Sequence, residues 1–389
     1  MSYENITPEQ AAIIENTKKL CSQFPPEYWR EHDKAGQFPT EFKDALAAAG
    51  LLGVMMPPEI GGSGLGLTEA AMIIQTIVES GAGLSGATVM TSYAFASSSV
   101  VKHGNAEQKK KLIPLLEGKT RVAFAVTEPN TGLDTTRLKT RAIRQGDHYI
   151  ANGQKIWITG ATLANKILLI ARTTPIEETA GKPAKGLSLF FTDFDRNAIE
   201  VRPIPKMGTG MLHSCELFIE NLKIPKEDLI GEEGKGFYYL LDSLNPERVI
   251  IGAEAISLGK LALSRAVQYA KERTVFDRPI GQNQGIQHPL AANWAELEAA
   301  QAILMRAARM YDNGEDAGAY ANAAKYLGAE AGFKACTQAV MTHGGMGYAK
   351  EFDVERYLRE VMLPRLAPVS QQLILCYLAE KVLGLPKSY

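Results

Sequence analysis

The run Leu244-Asn-Pro-Glu-Arg248 sets a carboxylate directly beside a guanidinium. Asn245 can cap a helix and Pro246 suits a first helical turn, so the run reads as a helix start with Glu247 near its positive end. The helix dipole there favours the ionised carboxylate and lowers its pKa, whereas burial would raise it. If burial wins, Glu247 can accept a proton near neutral pH; the alternative is that it only complements the helix terminus. Three further blocks concentrate aromatic, hydroxyl, glycine and cationic residues. They are Phe124-Ala-Val-Thr-Glu-Pro-Asn-Thr-Gly-Leu-Asp134 with Lys155-Ile-Trp-Ile-Thr159, then Glu272-Arg-Thr-Val-Phe-Asp-Arg-Pro-Ile-Gly-Gln-Asn-Gln284, then His343-Gly-Gly-Met-Gly-Tyr348 with Val354-Glu-Arg-Tyr-Leu-Arg359 downstream. Taken singly each residue has a plain structural use. Trp157 suits a strand core, Arg273 a helix C-terminus, and Gly344-Gly345 a helix stop.

Other chemistries find less support. Gly81-Ala-Gly83-Leu-Ser-Gly86 matches the dinucleotide fingerprint, but a helical run precedes it and a Lys-rich helix occupies the place of the acidic residue. It reads as a flexible connection between helices. The six histidines form no HExxH, so no metal-ligand set is visible. Cys21, Cys215, Cys336 and Cys376 lie far apart without a CxxC, which argues against a disulfide framework and for a reducing compartment. A net charge of -1 provides no field for a nucleic-acid backbone or an anionic membrane. Neither a signal peptide nor a membrane-length apolar run is seen. The expectation is a soluble, cytoplasmic protein that binds neither nucleic acid nor membrane.

The elements that must position these residues fall into three textures. Residues 1–118 read as helical, with helices over Glu41–Ala49, Ala70–Val78 and Glu107–Leu116 and a Pro/Gly-rich loop at 57–64. Residues 119–235 break into short β-rich runs: Thr140–Arg144, His148–Ala151, Lys155–Thr159, Lys166–Ala171, Leu187–Thr192 and Glu216–Glu220, with Asn152-Gly153 as a break. They suggest a small sandwich or barrel. Residues 236–389 return to long helices over Pro246–Lys271, Pro289–Tyr311, Ala317–Thr342 and Val354–Leu383, a four-helix bundle. The fold class expected is α+β: an N-terminal helical domain, a middle β-barrel and a C-terminal four-helix bundle.

The three blocks, in this order and at these separations, resemble the acyl-CoA dehydrogenase family from about residue 40 to the C-terminus. The resemblance implies the same three-part fold holding FAD, usually in a dimer of dimers in which each flavin touches two subunits. By position it places Phe124, Val126, Thr127, Trp157 and Thr159 against the flavin. An indole can cover one face of the ring system, and a threonine hydroxyl can hydrogen-bond its N5. Gly132 lets backbone approach the cofactor, and Arg273 would meet the pyrophosphate. Phe276, Gln284, Gly345, Ser370 and Gln372 complete the implied shell, with Arg273, Phe276, Gln284 and Gly345 serving the neighbouring subunit's flavin.

The implied reaction needs a carboxylate to remove a proton α to a thioester while hydride leaves the β carbon. One family position for that glutamate aligns with Pro368, which cannot be a base. The other, as in isovaleryl-CoA dehydrogenase and some long-chain relatives, aligns with Glu247. Arg248 beside it matches a residue used on the CoA nucleotide. Three departures stand out. Leu133 replaces a serine before Asp134, Asp277 replaces a glycine, and Pro368 removes an N–H from the place where the thioester carbonyl is often held. A shifted loop offering the N–H of Val369 or Ser370 is one remedy; a different chemistry is the other. Ala367, where the family often has tyrosine, hints at a branched or bulky acyl group. The expected function is α,β-dehydrogenation of an acyl-CoA, with electrons passed to an electron-transferring flavoprotein. An acyl-CoA oxidase or flavin monooxygenase of the same fold is the alternative, separable by reoxidation rate in air. A DNA-binding relative is a remoter one that the near-zero charge disfavours.

Overall fold

The computed structural model describes residues 6–388. The described residues run through seven α-helices, seven strands, one very long α-helix, a small hairpin and four more α-helices. The N-terminal helices are α1 (Pro8–Cys21), α2 (Pro26–Ala35), α3 (Thr40–Ala48), α4 (Leu67–Ile77), α5 (Gly83–His103), α6 (Ala106–Lys110) and α7 (Ile113–Leu116). The helix expected over 107–116 is therefore two: α6 ends in a turn and Pro114 supplies the start of α7.

The glycine-rich stretch at 81–86 is more ordered than a flexible connection. Val78–Ala82 forms a π turn with Gly81 at φ +106°, and Gly83–Gly86 is already the first turn of α5. Its N-terminus is capped from a distant part of the chain. Leu84 N and Ser85 Oγ both donate to the Glu360 carboxylate at 2.7 Å. A Cβ on Gly83 would lie 2.5 Å from Glu360 Oε2, so the glycine makes room for a carboxylate. The helix terminus that a phosphate could have used is filled by the protein itself. Asp312 does the same for α4, accepting from Leu67 N at 2.6 Å and Thr68 N at 2.9 Å.

Strands β1 (Val122–Ala125), β2 (Arg141–Gln145), β3 (His148–Thr159), β4 (Lys166–Arg172), β5 (Leu187–Asp193), β6 (Ile199–Pro203) and β7 (Ser214–Pro225) form one curled sheet, a half-barrel. Its order is β1-β4-β2-β3-β7-β6, with β5 on the other side of β4's pairing. Asn152-Gly153 does not break the chain into two strands. It lies inside β3, where the pairing with β7 shifts register between Ala151 and Gly153 and again between Lys155 and Ile158. A Cβ on Gly153 would meet Thr140 Oγ1 at 2.5 Å, so close strand approach, not a turn, explains this glycine. The inner face packs Tyr149, Ile167, Leu169, Phe190, Leu217 and Ile219 into a core of its own.

The helical texture resumes at residue 236 as expected, but the first long helix starts there and not at Pro246. Helix α8 runs from Gly236 to Glu272 with Pro246 inside it. Asn245 therefore caps nothing; its Oδ1 accepts from Arg248 Nη1 at 3.1 Å. Apolar residues from Leu240 onward bury the early turns, which outweighs the local start signal. The hairpin β8 (Thr274–Val275) and β9 (Arg278–Pro279) follows. Then come α9 (Gln284–Asp312), α10 (Gly318–His343), α11 (Val354–Leu366) and α12 (Gln371–Lys381). The single helix expected over 354–383 is thus broken at Ala367–Pro368, because a residue before proline is pushed out of helical geometry; Ala367 has φ -126°, ψ 159°. The bundle core is close-packed through small residues. A Cβ on Gly259 would lie 2.8 Å from Gly332 Cα, and one on Gly332 2.3 Å from Ala255 O, so α8 and α10 nearly touch backbone to backbone.

Candidate active site

A buried ion pair fixes the backbone from which the aromatic residues project. Lys155 on β3 is fully buried, donating to Val126 O at 2.9 Å and to Glu128 Oε1 at 3.0 Å. Burial pulls its ammonium down to about 8, against the pull of Glu128. For Glu128, burial raises the carboxyl, but Lys155 and the N–H groups of Lys139 and Thr140 outweigh it and the net shift is downward. The segment after β1 is also stitched to β3 by Ile156 N donating to Thr127 O at 2.9 Å. Two residues past Lys155 the second register shift turns Trp157 to φ +62°, a strained conformation for a bulky residue, and leaves the indole 55% exposed. A tryptophan held outward by its own backbone is not a core residue. It is a flat apolar face kept available.

Phe124 and Val126 lie half-buried at the seam where the sheet meets the helical core. Thr127 and Thr159 are half-buried too; the Thr159 hydroxyl is only 3.5 Å from Ser214 Oγ. Gly132 is exposed with open space where a Cβ would stand, and the neighbouring Thr131 Oγ1 is buried without a partner. An outward indole, adaptable hydroxyls and an open glycine loop fit a large flat heterocycle with a phosphate-bearing tail, such as FAD.

The second group faces outward. Arg273 caps the end of α8 and is exposed. Phe276 stands at the tip of the small hairpin, 94% exposed, with Phe276 at φ +51° and Asp277 at φ +60°. These are the two left-handed positions of a tight hairpin turn. Asp tolerates that region, which accounts physically for aspartate in a glycine's place. Gln284 opens α9, and Gly345 lies in the turn after α10; both are exposed, the latter in open space.

The third group centres on Glu247, about three turns inside α8, not at its start. The helix-dipole effect expected for it is therefore absent, since it fades beyond the first turn. Glu247 is buried and, among the described residues, accepts no hydrogen bond. Burial raises its carboxyl to about 7, with Arg248 pulling the other way. Lys325 of α10 is buried, its ammonium lowered to about 8 by burial and by Arg248. It donates to Val369 O at 2.6 Å, tying the loop around Pro368 to the bundle. Ser370 is half-buried and its Oγ caps α12 by accepting from Leu373 N at 3.2 Å; Gln372 is exposed. Among the described residues the N–H groups of Val369 and Ser370 donate to no protein acceptor.

Sequence reasoning did not single out Lys155–Glu128, Lys325 or Glu254. The last sits seven residues after Glu247 on the same helix and is buried. A glutamate amid alanine and isoleucine was the available signal. Among the described residues no His/Cys/Asp/Glu group could hold a metal, and no helix is long and apolar enough to cross a membrane.

Comparison with known proteins matches three family models in chain order. They are the acyl-CoA dehydrogenase N-terminal domain at residues 7–119, the middle domain at 123–222 and the C-terminal domain at 234–368. A relative named acyl-CoA dehydrogenase fadE12, from Mycobacterium bovis, is 33% identical over 384 residues, covering 98% of this chain and 97% of its own. The butyryl-CoA dehydrogenase structure from Megasphaera elsdenii superposes with a TM-score of 0.92 at 27% identity, covering 98% of this chain and 100% of that one. A structure titled as the FAD complex of PigA superposes with a TM-score of 0.91 at 25% identity, covering 98% and 99%.

Proposed function

The chain belongs to the acyl-CoA dehydrogenase family, and we propose that it converts an acyl-CoA thioester to the 2,3-enoyl-CoA with Glu247 as the base. The observation that carries this reading is a buried, unpartnered carboxyl tuned to about 7 beside a guanidinium. In an apolar setting such a group accepts a proton readily once substrate excludes water. Arg248, whose Nε is buried without a partner, is oriented by Asn245 and would take the CoA nucleotide portion.

Bound across the Trp157 face, FAD would supply the hydride acceptor. Trp157 would cover one face of its ring, Phe124, Val126, Thr127 and Thr159 would line it, and Gly132 would admit its tail. Ser370 and Gln372 would stand at the α12 end. The substrate's α proton passes to Glu247 Oε. As the α carbon gains negative charge, the thioester oxygen needs donors, and the free N–H of Val369 or Ser370 is available for that task. Lys325 holds the loop in that position through Val369 O.

Arg273, Phe276, Gln284 and Gly345 project from the subunit, which supports a dimer of dimers in which they complete a neighbour's flavin site. The domain limits 1–118, 119–235 and 236–389, a soluble cytoplasmic setting and transfer of electrons to an electron-transferring flavoprotein belong to the same reading. Glu247→Gln tests it. Acyl-CoA should still bind and perturb the flavin spectrum, while flavin reduction slows by ~10²-fold or more. Near-normal reduction by this variant removes Glu247 from the mechanism.

A further inference from the structure

Proton abstraction uses Glu247 and leaves a second buried carboxyl on the same helix face without a task. Glu254 follows Glu247 by seven residues, which returns it to the same side of α8 about 10 Å further along. Ile250 lies between them, and all three are buried. Ile250 also lines a small cavity with Met56, Ala70, Ile74 and Thr91, contributed by the preceding loop, α4 and α5. Thr91 belongs both to that lining and to Glu254, since its hydroxyl donates to Glu254 Oε1 at 3.4 Å. That long contact is the single hydrogen bond of the Glu254 side chain among the described residues.

A buried carboxyl with one long hydrogen bond is costly unless something else meets it. From Glu247 the face of α8 leads past Ile250 to Glu254 and the Thr91 beside it, so an acyl chain that follows this face with its α carbon at Glu247 reaches them. We infer that the protein prefers acyl-CoAs whose acyl group carries a hydrogen-bonding oxygen towards its far end, held by Glu254 and Thr91. The inference rests on the dehydrogenase reading and deepens it by naming the substrate class. Burial, with Glu360 and Glu247 adding like charge, raises Glu254 to about 8. It is therefore mainly protonated at neutral pH, able to donate to an alcohol or carbonyl oxygen and to accept through its other oxygen. A plain alkyl tail leaves it unmet, and such unmet polar groups are the basis of strong discrimination.

An extended chain advances about 1.2 Å per bond, so an oxygen on the eighth carbon falls within reach. The test compares 8-hydroxyoctanoyl-CoA with octanoyl-CoA on the FAD-loaded enzyme by anaerobic flavin reduction, as a ratio of kcat/KM values. The wild type should favour the hydroxylated substrate by roughly tenfold or more. Glu254→Met should abolish that preference and raise octanoyl-CoA turnover relative to the wild type. Glu254→Gln, which keeps a donor and an acceptor, should retain most of the preference. If Glu254→Met leaves the ratio at the wild-type value, or slows both substrates alike, Glu254 is structural and the inference is wrong. If neither substrate reduces the wild-type flavin, the dehydrogenase reading fails and takes this inference with it. Glu247→Gln lowers both rates together, so an error about the base would leave the ratio unchanged.

Discussion

Burial moves the Glu247 carboxyl from an ordinary 4.5 to about 7, and only its ionised form can take a proton. The sign follows directly. Below pH 7 the base is mostly protonated and idle; above it, mostly ionised and competent. The rate of flavin reduction by a saturating acyl-CoA should rise with pH through about 7 and level off beyond, each unit below the midpoint costing close to tenfold. A stopped-flow pH profile checks this, and a limb centred near 4.5 would mean that the carboxyl works in water. Glu247 was legible in the sequence as a candidate base through the family position it matches. The reason for its tuning was not. Asn245-Pro246 imitates a helix start, while the turns from Gly236 onward already belong to α8 because their apolar side is covered. Trp157 illustrates the same division. Its type and position were plain, but the left-handed backbone that turns it outward depends on a register shift against β7 and on the Lys155–Glu128 pair beneath.

At the scale of elements, the bundle carries the proposed base on one helix and its surroundings on others, so helix spacing matters to the proposed chemistry. Helices α8 and α10 approach through Gly252, Gly259, Gly328 and Gly332. Alanine is the better helix former by about 1 kcal/mol, which taken alone would make Gly332→Ala stabilising. The 2.3 Å separation of its new Cβ from Ala255 O reverses that sign. Overpacking of this kind costs about 1–3 kcal/mol, and the helices must part. Gly332→Ala should therefore lower the urea midpoint of the apoprotein, and a raised midpoint would show that the helices yield freely. Element boundaries were read well where apolar periodicity and breakers agreed, as in Gly318–His343 against the expected 317–342. They were misread where proline and asparagine signals stood inside a buried helix, or where Asn-Gly stood inside a paired strand.

For the whole molecule, the exposed group at Arg273, Phe276, Gln284 and Gly345 makes cofactor retention a property of the assembly in the proposed dimer of dimers. Arg273→Ala removes a cationic fork suited to pyrophosphate and should lower the FAD retained per chain after gel filtration. Diluting the wild type to where subunits separate should release FAD as well. Full occupancy in the variant, or in separated subunits, would count against a shared site. A ratio of flavin to protein absorbance across the elution profile reads both.

The sequence by itself determined the three-part order of helices, a β-rich middle and helices, and the family. Periodicity, breakers and side-chain chemistry are local properties, and they survive in a one-dimensional record. The tertiary structure alone decided that the N-terminus of α5 is met by the Glu360 carboxylate, 276 residues from Leu84, so the place an anion could take is already filled by the protein. It alone decided that Glu247 is tuned by burial and not by a helix dipole, and that Glu254 shares its face with Thr91 from α5 beside it. Desolvation depends on what every neighbouring element places around a group, and no spacing along one helix records what has been packed against it.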